Sequence, residues 1–171
     1  MSLLSRLVYR IRQFRLAAFG PWQPVSDTSL SLFLSPQLIS LFRRMTPSEQ
    51  AHSFSVLQRL QAAGYQDLDL LAAALLHDVG KVNSSLSIWD RSLVVLGKRF
   101  FPRRIDRWSS GKPAGWSLPF VVAVHHPAWG ADLAAAAGAS PRSVDLVRRH
   151  QEADAGDDPW LAALRQADDS E

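Results

Sequence analysis

Residues 46–81 read TPSEQAHSFSVLQRLQAAGYQDLDLLAAALLHDVGK, and two successive helices can be drawn from that stretch alone. Thr46 and Glu49 form a capping box, and Pro47 stands at the first helical position, where its missing N–H costs nothing. That helix is expected to run to Ala63, with Gly64 just past its end as the C-cap. Asp67 caps the next, from Leu68 to about Val79, almost wholly apolar and closed by Gly80.

The same punctuation extends in both directions. Leu3, Leu4, Leu7, Val8, Ile11, Phe14 and Ala18 recur at helical spacing, interrupted by arginines and ended by Gly20-Pro21. Residues 21–36 read as a connecting loop with a short turn, and a short helix follows from Pro36 to Arg44. Downstream, a helix is expected around Leu93, Val94 and Leu96, stopped by Pro102. Residues 102–117, rich in Pro, Gly, Ser and basic side chains, read as a loop. Pro119 opens a short helix to His125, and Pro127 restarts the chain into a second one closed by Gly138. Ser140-Pro141 caps a helix through His150, and Asp158-Pro159 caps the last, through about Asp169. No apolar–polar alternation is long enough for a sheet. The fold class is all-α, with residues 1–45 as an N-terminal helical extension and 46–171 as a helical bundle domain.

Composition narrows the chemistry. The 171 residues are 47% hydrophobic and 20% charged, enough to bury a core without disulfides or structural metal. The absence of cysteine excludes a disulfide scaffold, a thiolate zinc site and a cysteine nucleophile, and makes a cytoplasmic location the expectation. Net charge is +3, unevenly spread: residues 1–20 hold +4, residues 98–112 hold +5, and the last 22 residues hold −6. The basic, amphipathic residues 1–20 suit weak membrane-surface attachment or self-association. No continuous signal-peptide core and no 18-residue apolar run is visible, so a soluble or surface-attached protein is expected.

The five histidines are His52, His77, His125, His126 and His150. His52 shares a helix face with Val56 and Leu60. His77 ends the apolar helix, with Asp78 directly after it. His150 lies on the face of Leu146 and Val147, and Asp168 on that of Leu161 and Leu164. Four titratable groups thus point inward from four helices, which is expensive unless they are paired or bind a metal. Imidazole and carboxylate without thiolate suit Fe, Mn, Zn or similar divalent ions.

The run Ala73-Ala74-Leu75-Leu76-His77-Asp78-Val79-Gly80-Lys81 resembles the HD-x-G-K signature of the HD-domain metal-dependent phosphohydrolase superfamily. His52 stands upstream as that family's first histidine does, and Asp168 resembles its final aspartate. The resemblance implies an HD-domain helical bundle over 46–171, with His52, His77, Asp78 and Asp168 as metal ligands. His126-Pro127-Ala128-Trp129-Gly130-Ala131 also resembles an element of two-metal HD phosphatases and HD-GYP phosphodiesterases. It implies that His126 and His150 hold a second ion, with Asp78 bridging and His125 an outer or alternate ligand. The Gly-Tyr-Pro element that names the HD-GYP group is absent after His150, so cyclic-di-GMP is not supported as substrate.

By activity, the resemblance implies an enzyme that hydrolyses a nucleotide-like phosphomonoester or phosphodiester with water activated by one or two divalent ions, Mg included. Asp78 would orient the nucleophile and Lys81 would neutralise a phosphoryl oxygen, unless Lys81 is a solvated helix-end cation. Arg103 and Arg104, with Arg107, Trp108 and Lys112 nearby, form either a substrate-phosphate funnel or a solvated surface. No stable nucleic-acid complex is expected. The rival reading is a non-catalytic HD-fold module that binds metal or nucleotide for regulation, or is recruited to a membrane by residues 1–20.

Overall fold

The computed structural model describes residues 24–82, 94, 101–110, 115–152 and 154–170, except for the side chains of 102, 103 and 106. The expected helices in residues 1–20 and around 93–96 therefore fall outside the described residues, save position 94. The described elements are all helical, with no strand among them. They are α1 (Asp27–Leu30), α2 (Pro36–Phe42), α3 (Pro47–Ala62), α4 (Leu68–Leu76), a 3-10 turn (Val79–Lys81), α5 (Pro102–Ser109), a 3-10 turn (Gly115–Ser117), α6 (Leu118–Ala136), α7 (Pro141–Arg149) and α8 (Pro159–Asp168).

Helix α4 is the axis of the bundle. All seven residues from Leu70 to Leu76 are buried, as expected of a helix that is apolar on every side. Helices α3, α7 and α8 pack around it, and α6 lies against α7 and the turn after α4. Leu30, Leu34, Leu38, Leu41, Phe42 and Met45 join the same core as Val56, Leu76, Leu146, Leu161 and Leu164, so residues 30–45 pack as part of the bundle.

The caps form as the side chains dictate. Thr46 accepts from the Glu49 N–H while Glu49 accepts from the Thr46 N–H at 2.9 Å, completing the capping box. Asp67 accepts from the Asp69 and Leu70 amides, and Ser140 from the Ser143 amide. Asp158 accepts from the Leu161 amide and pairs with Arg142 at 2.6 Å and Arg149 at 3.2 Å, locking α8 to α7.

Three expectations are corrected. Residues 102–109 form helix α5, because Ile105 is buried and the half-buried Trp108 packs on Phe120 at 4.9 Å between ring centroids. Pro127 does not split the chain: α6 runs unbroken from Leu118 to Ala136 with the proline buried inside it. Packing on α7 and the turn outweighs the lost backbone bond. Helix α4 ends at Leu76, and Gly80 is no left-handed cap; its φ is not positive, unlike Gly64 and Gly138. No helix among the described residues is long and apolar enough to cross a membrane.

Candidate metal centre

Six side chains converge where helix ends meet. His77 is the C-cap of α4, His150 the C-cap of α7, and Asp168 the last residue of α8. The C-terminal end of a helix carries partial negative charge, so three of the six groups sit where a cation is favoured. His52 comes from the second turn of α3, Asp78 from the turn after α4, and His126 from the middle of α6. Arg59 of α3 donates to the Ala167 carbonyl at 2.9 Å, which holds the end of α8 against α3 and delivers Asp168 to His52.

The six divide into two adjoining triads, His52–His77–Asp168 and Asp78–His126–His150, each with its ligand atoms within 4.8 Å of one another. Asp168 Oδ1 lies 2.9 Å from His52 Nε2 and 3.4 Å from His77 Nε2. Asp78 faces both groups: its Oδ2 is 3.7 Å from His77 Nε2 and its Oδ1 3.4 Å from His126 Nε2. The rings form a file, His52–His77–His150–His126, with each step 5.2 Å between centroids.

The tautomers follow from the backbone. Nδ1–H of His77 donates to the Ala74 carbonyl at 2.9 Å, that of His126 to Val122 at 2.9 Å, and that of His150 to Val147 at 2.7 Å. A carbonyl can only accept, so each Nδ1 carries the proton, and in the neutral ring each Nε2 presents a lone pair. Those three Nε2 atoms are buried without a hydrogen-bond partner; among the described residues only Ser53 Oγ, next to His52, shares that condition. An unsatisfied buried acceptor costs about 1–3 kcal/mol. Three lone pairs aimed into one site, with two carboxylates opposite, fit a bound divalent cation.

Charge states agree with that fit. Burial pushes His150 down to about 3, helped by neighbouring His77 and His126. Burial also lowers His126, only partly offset by Asp78. Both imidazoles are therefore neutral donors. For Asp78, burial alone would raise the pKa, but Lys81, His77 and His126 together hold it well below the usual carboxylate range. Burial would likewise raise Asp168, and the hydrogen bond from His52 with His77 close by outweighs that and depresses it strongly.

The other expected site residues are placed differently. Lys81 Nζ stands 2.6 Å from Asp78 Oδ1, an ion pair rather than a free helix-end cation. His125 is in neither triad: it stacks on Trp129 at 5.7 Å and its Nε2–H donates to the Ser109 carbonyl at 3.2 Å, tying α6 to α5. Arg104 is exposed, its guanidinium 5.9 Å from the Phe101 ring centroid. The Arg103 side chain and Lys112 lie outside the described residues. The carbonyls that fix the tautomers went unrecognised in the sequence; each lies three or four residues before its histidine, a spacing readable once the helix ends are known.

Comparison with protein-family models, with curated proteins and with solved structures gave no match.

Proposed function

We propose that this protein is a metal-dependent phosphohydrolase of the HD type, acting in the cytoplasm on a nucleotide-like phosphomonoester or phosphodiester. The observation that carries this reading is the pair of triads with Asp78 between them and three buried imidazoles with unpartnered Nε2 atoms. His52, His77 and Asp168 would hold one ion; Asp78, His126 and His150 would hold the other. Bound divalent ions supply Lewis acidity, lowering the pKa of water from 15.7 toward about 7.

The chain's own groups do the rest. Asp78 is ionised, buried and within reach of both triads, so its carboxylate can accept a hydrogen bond from an attacking water and aim it. Lys81, already beside Asp78 Oδ1, brings a positive charge to a phosphoryl oxygen entering the site. The buried walls formed by His77, His126 and His150 lower the local dielectric and strengthen every charge–charge interaction inside.

The test is a phosphate-release screen over nucleotides and simple phosphate esters, with Mn(II) or Fe(II) supplied. Release that requires metal and disappears in Asp78→Ala is the expected outcome. A chain that binds metal and releases phosphate from nothing in the panel would favour the non-catalytic regulatory module instead.

A further inference from the structure

Gly80 and Gly130 meet backbone to backbone where the turn after α4 crosses α6, both with φ outside the left-handed region. A Cβ on Gly80 would stand 1.9 Å from the His126 carbonyl oxygen and 2.7 Å from the Gly130 amide nitrogen. A Cβ on Gly130 would stand 3.0 Å from the Gly80 nitrogen and 3.4 Å from Val147 Cγ1 on α7. Glycine is therefore required here for approach, not for conformational freedom. The atom nearest to Gly80 belongs to His126 itself, and Asp78 lies two residues before Gly80. Val147, the other neighbour of the Gly130 Cβ position, supplies the carbonyl that orients His150.

We propose that the Gly80–Gly130 contact is the positioning device that sets the distance between Asp78 and the His126/His150 pair, and so decides whether the second ion binds. This rests on the two-ion reading above. Alanine at 80 must move the turn by at least 1.1 Å, the gap between 1.9 Å and the 3.0 Å that side-chain carbons respect. Ligand distances at a metal tolerate only about ±0.2 Å. Alanine at 130 needs a shift of only a few tenths of an ångström, comparable with that tolerance, so its effect is graded. The triad His52–His77–Asp168 takes His52 from α3 and Asp168 from α8, helices that supply none of the atoms nearest to this crossing, and His77 from the end of α4.

The experiment is a Mn(II) titration of the full chain, read by metal content and by electron paramagnetic resonance, which separates a spin-coupled ion pair from a single ion. Gly130→Ala is expected to bind its first ion as the parent does and its second at least tenfold more weakly, with the coupled signal reduced. Gly80→Ala, where it folds by circular dichroism, is expected to hold one uncoupled ion. Gly138→Ala is the control: its φ is +85° and nothing lies within 4 Å of its Cβ, so it should melt lower yet keep a coupled pair. A folded Gly130→Ala with the parent's full coupled pair overturns the positioning role. A parent that never takes up a second ion overturns the two-ion reading and this inference with it.

Discussion

Replacing His150 with leucine, of similar volume, separates what the imidazole does for the fold from what it does for a cation. His150 is 2% exposed, its Nδ1–H donates to the Val147 carbonyl at 2.7 Å, and its Nε2 has no hydrogen-bond partner. In chelator, leucine removes that unpartnered acceptor, a gain of about 1–3 kcal/mol, and leaves the buried Val147 carbonyl without its donor, a loss of similar size. The two nearly cancel, so stability should stay within about 1.5 kcal/mol of the parent, or about 3–6 °C in melting temperature at this chain length. Metal changes the comparison. An ion at a hundred times its dissociation constant stabilises the folded state by about 2.7 kcal/mol, worth about 5–11 °C. The parent should gain that increment for two ions and His150→Leu for one. The assay is thermal unfolding by circular dichroism in EDTA and in fixed excess Mn(II). A variant that keeps the parent's full metal-induced rise, or that loses more than about 3 kcal/mol in EDTA, would refute the assignment of His150 as a ligand first and a packing residue second.

Asp78→Asn keeps the side chain's shape and removes the charge that faces both triads; metal affinity should fall by more than about 100-fold, as measured by metal content after desalting. Lys81→Met should keep its metal but lose about 100-fold in kcat/KM for the phosphate ester found in the screen, because only the ammonium is removed. Asp158 is held at about 2, chiefly by its bond from Arg142, against an ordinary 3.8. A depressed carboxylate stabilises above its unfolded pKa and loses that contribution as pH falls toward its folded one. Asp158→Asn should therefore be less stable than the parent near neutral pH, with the gap closing from about pH 4 downward, checked by urea unfolding across that range.

Much of this centre is legible in the sequence because its parts lie at helix ends, and helix ends are what Ser, Thr, Asp, Pro and Gly mark. The Thr46–Glu49 box fixes the phase of α3 and hence the face of His52; Asp158-Pro159 does the same for Asp168. His150 follows from the start of α7 at Ser140. The elements that local rules misplace turn on long-range contacts. Pro127 is a breaker by those rules, yet α6 passes through it because both its flanks are packed. Gly80 has the sequence signature of a cap, while its reason lies 46 to 50 residues away at His126 and Gly130. The basic residues of 102–109 hide a helix whose buried side, among the described side chains, is Ile105 and Ser109 with Trp108 half-buried. The Asp78–Lys81 pair is spaced for contact, but nothing local says that the ammonium turns inward.

The most direct measurement is elemental analysis of the protein after anaerobic loading with Mn(II) or Fe(II) and removal of unbound ion. Two divalent ions per chain are expected, falling to about one in the His126→Ala/His150→Ala double variant with the fold retained. A folded parent that retains no stoichiometric metal under these conditions would contradict the metal centre itself.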